Sequence, residues 1–435
     1  MEVIRDMKIA IKNPILLNSF FLLIDKIGKL GNFIAVILIA KQYGTFIFGE
    51  FSYAFAFTSI LGSFSDLGIK NILIKLLVKD DDNRDKNMGA SFLLIFISSL
   101  FCISISLLHV YFIKESILVN KLVLFFSCAY IFKPFYIIFF HFESKLEVNK
   151  IVPLLFANSI LFLFLKILFI LHKYDLVFFS YLSFLETLLE SIILIIIYLK
   201  NDNNILHWKI DFSKSKQILY ESFPLFVSNV MILIYMRVDQ IILKHILHDY
   251  ESIGNYSLSV KIVEMFYLLP GVFVSTIFPK LVQLFQTDKQ KAKVALQKTF
   301  NFISGISYVI IVFLMLSANL LITLINKEFY VASNLLRILS VTCIIVALGG
   351  LQNSYLNLKN KNSLVLIFSI VGAFSNIAFN FILIPFWGVY GSAVATLLSY
   401  LLVVLIIPKY NKNCKTTTKL MWQSLRNASL NTPKI

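Results

Sequence analysis

Long apolar runs alternate with short, lysine-rich polar segments along almost the entire chain. Taking roughly 20 apolar residues as the length that crosses a hydrocarbon layer, the runs predict membrane-spanning helices near 15–39, 46–69, 88–109, 117–139, 151–171, 176–199, 218–247, 254–284, 296–325, 331–356, 363–384 and 388–408. About twelve such spans with short connections use nearly the whole length and leave no place for a separate soluble domain. Several windows exceed the minimum, which predicts tilt or bending, with Pro224, Pro270 and Pro385 as positions where a missing backbone N–H favours a kink. The first window is interrupted by Asp25, Lys26 and Lys29 and lacks a small-residue cleavage site, so it reads as a retained first helix.

Composition makes lipid part of the solvent: 58% of residues are hydrophobic, 15% are charged and the mean hydropathy is +0.81, beyond the apolar content of a soluble domain. The net charge of +16 raises nucleic acid as a partner until the lysines are sorted by side of the membrane. With the N-terminus inside, Met1–Pro14, Ile69–Asn87, His141–Lys150, Lys200–Lys216, Lys280–Lys298, Lys359–Lys361 and Lys409–Ile435 carry most of the 40 Lys and Arg residues. The opposite connections hold only Lys41, Lys114, Lys121, Lys173, Lys244 and Lys327. This asymmetry places both termini in the cytoplasm and accounts for the charge without nucleic acid.

The halves resemble each other. FGEFSYAF at Phe48–Phe55, opening the second span, is echoed by IGNYSLSV at Ile253–Val260, opening the eighth, and polar knots at Phe142–Leu155 and Leu356–Ile367 sit at matching turns. Six spans per half, both halves starting inside, make a parallel repeat. The chain is therefore expected to be an all-α membrane protein with two pseudo-symmetric six-helix lobes around a central cavity: an N-terminal lobe over 1–200, a cytoplasmic linker over 201–217, a C-terminal lobe over 218–408 and a basic cytoplasmic tail over 409–435.

Chemistry of the usual enzymatic kinds is not indicated. Cys102, Cys128, Cys343 and Cys414 lack metal or disulfide spacing, His245 and His248 read better as a polar helix end than as metal ligands, and no phosphate-binding loop of the Walker type occurs. No catalytic residue, no cofactor and no direct use of ATP are expected.

Specific punctuation adds a family. Tyr43-Gly44, Phe48-Gly49-Glu50-Phe51-Ser52-Tyr53 and Ser65-Asp66-Leu67-Gly68-Ile69 resemble the first two helices of Wzx-type O-antigen flippases, and Phe223-Pro224, Arg237-Val238-Asp239-Gln240, Gly254-Asn255-Tyr256-Ser257, Lys261 and Phe278-Pro279 are similar to the corresponding pattern in its second half. The resemblance implies the fold of the multidrug/oligosaccharidyl-lipid/polysaccharide (MOP) exporter superfamily, to which the MATE transporters also belong, with alternating access in a bacterial inner membrane. It implies a cargo of undecaprenyl pyrophosphate bearing one oligosaccharide repeat unit, and a polysaccharide polymerase and chain-length regulator as partners beside membrane lipids. Lipid II flippases of the superfamily usually carry two further helices, which argues against lipid II as cargo. A multidrug cation antiporter of the same fold and a membrane polymerase or glycosyltransferase are the rival readings; short outer connections count against the enzyme.

Ionisable residues inside spans are expensive and normally face a cavity or a partner. Lys26, Lys29, Lys166, Arg237, Lys261 and Arg337 form a candidate cationic lining for a pyrophosphate, with Asp25, Glu186, Glu190, Asp239 and Glu264 as acidic partners or ion-coupling groups. Asp25 with Lys29 at i, i+4 and Lys261 with Glu264 at i, i+3 serve equally well as neutralising pairs that fix helices. Glu186 and Glu190 at i, i+4 share a face and repel if both ionise. Tyr235 and Tyr267 are the aromatic residues best placed to meet a sugar, and Asp66 to cap or bend the second span.

Overall fold

The computed structural model describes residues 14–80, 82–359 and 361–431. Among these, every regular element is helical. In chain order the helices are α1 (Pro14–Asp66), α2 (Ile69–Lys79), α3 (Arg84–Phe112), α4 (Ile117–Cys128), a 3-10 segment (Ala129–Tyr136), α5 (Ile137–Ser144), α6 (Val152–Leu171), α7 (Val177–Lys200) and α8 (Phe212–Leu247). They continue with α9 (Tyr250–Thr287), α10 (Lys289–Ile325), α11 (Tyr330–Ser340), α12 (Thr342–Leu358), α13 (Asn362–Trp387), α14 (Val389–Leu401), α15 (Ile407–Tyr410) and α16 (Lys415–Arg426).

Nine helices among the described residues are long and apolar enough to cross a membrane, or ten if Lys327–Ser340 and Thr342–Leu358, bent by 40°, count as one broken span. The chain is a multi-pass membrane protein. These helices coincide with the third to twelfth apolar windows; the first two windows fall on two limbs of α1. That 53-residue element is broken at Gly44, where φ 76 and ψ −177 leave helical space for a conformation that side chains resist. The limbs are residues 14–43 and 45–66.

Two segments outside the apolar windows are helical. After the second window, α1 ends at Asp66, Leu67 and Gly68 turn at φ 47 and 63, and α2 follows, burying Ile69, Leu73 and Leu77 while Lys70 and Lys75 stay exposed. The i, i+4, i+8 spacing makes this a surface-lying amphipathic helix, invisible to windows tuned for continuous apolar runs. The tail likewise contains α16, which buries Thr417, Leu420, Met421 and Ser424.

The chain divides into two compact units. The first holds the chain up to Gln42 and Ala54–Val230. Its core joins Leu73, Met88, Ile138, Phe142, Leu155 and Tyr198, so α2, α3, α5, α6 and α7 meet around one apolar centre. The second unit holds Tyr43–Tyr53 and Met231–Ile435, so a short piece of α1 belongs with the C-terminal helices. The boundary passes at Val230, inside α8. The reason for the borrowed piece is a close helix crossing: a Cβ added at Gly49 would lie 1.9 Å from the Tyr250 carbonyl oxygen, and one at Gly254 would lie 2.1 Å from that of Thr45. The two glycines sit at the same place in FGEFSYAF and IGNYSLSV, so the repeated segments pack on each other. Asn255 then braces α11, its side chain accepting from Ala332 N at 3.1 Å while Ser259 donates to Ala332 O at 2.9 Å.

Candidate functional site

In the second unit, α8 and α9 place Arg237, Lys261 and Glu264 together. Arg237 meets both carboxylate oxygens of Glu264, Nη1 at 3.0 Å and Nη2 at 3.1 Å, and Lys261 Nζ lies 3.4 Å from Oε2. All three side chains are about nine-tenths buried. Lys261 and Glu264 share a face of α9 at i, i+3, and Arg237 reaches across from α8. Two cations on one carboxylate leave the cluster with a formal excess of one positive charge.

Asp239 is two residues beyond Arg237 and belongs to a different environment, because i and i+2 on a helix do not share a face. It is 2% exposed and accepts hydrogen bonds from Tyr256, from Thr396 Oγ1 at 2.9 Å and from Asn380 Nδ2 at 2.6 Å. Among the described residues no Lys or Arg pairs with it. Close by, Asn380 Oδ1 and Ser392 Oγ are buried without a hydrogen-bond partner. A carboxylate held by two hydroxyls and an amide N–H, with an amide oxygen and a hydroxyl to spare beside it, is chemistry for a proton or a hard cation. A small cavity of about 20 Å³ lies between Asp239 and Glu264, walled by Tyr235, Tyr256, Tyr267 and Tyr400. It has room for about one water and none for a sugar. Tyr267 is also tied to Thr342 at 2.6 Å, and Tyr235 packs edge-on against Tyr400, so both tyrosines singled out as sugar contacts serve the interior of this unit.

In the first unit, Lys166 of α6 and Glu186 of α7 pair one to one at 2.5 Å. Lys166 also reaches Asn32 Oδ1 at 3.3 Å and lies 5.1 Å above the Phe179 ring. The pair is neutral, with Lys166 buried and Glu186 half-buried. Glu186 and Glu190 are thereby separated in role, since Glu190 lines another space: a cavity of about 580 Å³ bordered by Asp66, Lys70, Lys133, Asn71 and Asn229, with Phe132 and Tyr136 in its wall. The 3-10 segment presents Lys133, whose Nζ donates to Gly62 O at 2.9 Å and pairs with Asp66 at 3.0 Å. Lys70 pairs with Glu143 at 3.0 Å. Polar groups of both signs beside aromatic faces, in a volume within the usual range of ligand pockets, suit a hydrated, neutral or weakly charged ligand.

The remaining expected residues are dispersed. Lys26 is exposed and Asp25 half-buried on α1; the side chain of Lys29 lies outside the described residues. Arg337 donates to Asn334 at 2.6 Å and to Met315 O at 3.4 Å, which ties it to the α10–α11 contact. Lys133 is not among the expected lining residues; a lysine beside Pro134 inside an apolar window was the available signal.

The family profile described as polysaccharide biosynthesis protein matches residues 15–285. No curated protein matches by sequence. Among solved structures, the chain is similar to the lipid II flippase MurJ in an inward closed conformation, at TM-score 0.70 and 17% identity over 94% of this chain and 91% of that one. It is similar to a multidrug resistance MATE transporter of the MOP superfamily in an inward-facing conformation, at TM-score 0.72 and 14% identity over 92% and 94%. A MOP superfamily transporter from Pyrococcus furiosus, described as having a binding pocket of reversed polarity, aligns at TM-score 0.60 and 15% identity over 90% and 94%. At such identities the likeness is one of fold.

Proposed function

Because the chain belongs to the family of polysaccharide biosynthesis proteins, we propose that it is a flippase for lipid-linked oligosaccharides. Its cargo is a repeat unit of O-antigen or a related surface polysaccharide on undecaprenyl pyrophosphate. Two lobes alternate in access, moving the headgroup from the cytoplasmic to the periplasmic leaflet of a bacterial inner membrane while the polyprenyl tail stays in lipid.

The observation that carries this reading is the two-to-one cluster of Arg237, Lys261 and Glu264. Two buried cations placed on one carboxylate suit an added anion, and a pyrophosphate brings oxygens that Arg grips in pairs and Lys meets as a point charge. A cationic drug gains nothing from that charge. Within the first unit, the cavity bordered by Lys70, Asn71, Lys133 and Asn229 offers what a sugar needs, aromatic faces for stacking and amides for hydroxyl groups. Export of a headgroup with about two negative charges gains roughly 2.3 kcal/mol per charge per 100 mV of inside-negative potential. Asp239, a buried carboxylate with no Lys or Arg partner among the described residues, is the position for a coupling proton or cation.

Depletion in cells making labelled surface polysaccharide tests the reading. Single repeat units are expected to accumulate on the lipid carrier, shielded from an enzyme that acts only at the outer leaflet. Accumulation of unpolymerised units accessible from outside would make the protein a polymerase instead.

A further inference from the structure

The tail of the second unit carries a charged surface that the transport reading does not use. Helix α16 turns Lys415, Lys419, Trp422 and Arg426 outward, an i, i+4, i+7, i+11 stripe along one face. With Lys409 from α15 and Gln423 they line a groove of about 420 Å³ in which no acidic side chain takes part. No Asp or Glu follows Glu328 in the chain.

This is a fixed surface rather than a loose basic tail. The opposite face of α16 is buried and bonded to α10: Gln297 donates to Leu420 O at 3.1 Å, Ser304 to the Ser424 hydroxyl at 3.0 Å, and Tyr308 to Leu425 O at 2.9 Å. A Cβ at Gly305 would lie 2.5 Å from Ser429 O, so the chain after α16 also runs close along α10. Scattered lysines satisfy the topology rule for a cytoplasmic segment; a helix anchored along one side and lined with cations along the other does more.

Placement identifies the partner. The last apolar span ends at Tyr410, within a turn or so of Lys415, and Tyr410 and Trp422 are 78% and 48% exposed. Exposed Tyr and Trp beside the end of a span mark the interfacial layer in which lipid phosphates lie. We propose that this groove is a binding site for the headgroup of an anionic glycerophospholipid, with Arg426 gripping phosphate oxygens, the three lysines supplying charge, Gln423 a hydrogen bond and Trp422 the contact with the glycerol and first acyl carbons.

Purified full-length protein, delipidated in detergent, is titrated with phosphatidylglycerol or phosphatidylethanolamine and followed by native mass spectrometry. Phosphatidylglycerol is expected to be retained preferentially, with apparent affinity falling about fivefold for each of Lys415→Gln, Lys419→Gln and Arg426→Gln and falling as salt rises. Lys412→Gln, an exposed lysine on the same segment outside the groove, is expected to leave binding unchanged. All four side chains are exposed, and an unaltered melting temperature in lipid-free detergent checks the fold of each variant. Equal retention of the two lipids, or an equal loss in Lys412→Gln, overturns the proposal. If Lys415→Gln, Lys419→Gln and Arg426→Gln weaken retention of undecaprenyl diphosphate more than that of phosphatidylglycerol, the proposal is also overturned, because the groove then belongs to the cargo.

Discussion

The two units keep charge inside the membrane in opposite ways. In the first, Lys166 and Glu186 cancel at 2.5 Å, with Asn32 and the Phe179 ring completing the shell around the ammonium. In the second, Arg237 and Lys261 divide one carboxylate, Glu264. Both arrangements bear the cost of dehydrating ions. Only the first recovers it within itself, and it has the character of a pin between α6 and α7. The second sets two cations on one carboxylate, an arrangement suited to an anionic ligand, so buried charge alone does not mark a site; its stoichiometry does.

The comparison is most sharply broken at Glu264. Glu264→Gln removes the carboxylate that Arg237 and Lys261 share, and destabilisation of about 3–5 kcal/mol is expected, measured by denaturant titration in detergent. Added diphosphate lipid is expected to restore part of that stability, as ligands of the native state do. Loss below about 1 kcal/mol would show that the cluster is effectively solvated and remove the basis for a cationic site.

Arg237→Gln converts the second unit to the arrangement of the first, one lysine on one carboxylate. Hydrogen bonds to charged groups contribute about 1.5–3 kcal/mol, so flipping of lipid-linked sugar in proteoliposomes is expected to fall roughly tenfold to a hundredfold while the protein remains folded. Arg237→Lys restores charge without the fork and is expected to recover only part. Full activity in Arg237→Gln would mean that the charge excess has no part in transport.

Asp239 sharpens the contrast within the second unit. Asp239→Asn keeps the shape but removes the group able to take up a proton or cation. The response of transport to an imposed ion gradient is expected to fall by about 1 kcal/mol, the lower end of the usual coupling range, with binding of the diphosphate lipid unchanged. Equal gradient dependence in the variant would move the coupling site elsewhere.

How far these differences can be read from sequence depends on their range along the chain. The spans were legible because each is a continuous apolar run, and the Lys261–Glu264 pair because i, i+3 neighbours share a helix face. The break of α1 was marked by Gly44 between two windows. Arg237 with Glu264 and Lys166 with Glu186 were not legible as pairs, since nothing local says which faces of two helices meet. The repeat was visible, yet its physical content, Gly49 and Gly254 allowing their helices to cross at backbone distance, required the fold. Asp239 was grouped with Arg237 by adjacency and separated by helical geometry. Lys133 and its cavity were missed because the 3-10 segment that presents them has no sequence signature beyond Pro134.

The smallest effect is expected where the charges cancel. Replacing the pair together, Lys166→Met with Glu186→Leu, removes two dehydrated ions and fills the space with apolar atoms, a change usually neutral or stabilising; transport is expected within about twofold of the parent, a difference of under 1 kcal/mol. The single variants separate the partners by exposure. Lys166 is 3% and Glu186 16% exposed along the side chain, so Glu186→Leu, which strands the deeper ammonium with only an amide and a ring, is expected to be the more destabilising, and Lys166→Met the milder because its orphaned carboxylate has some access to water. A double-mutant cycle measures the coupling directly. If the double variant loses transport while keeping its stability, the neutral pair is more than a pin, and the distinction between the units by net charge fails at its first term.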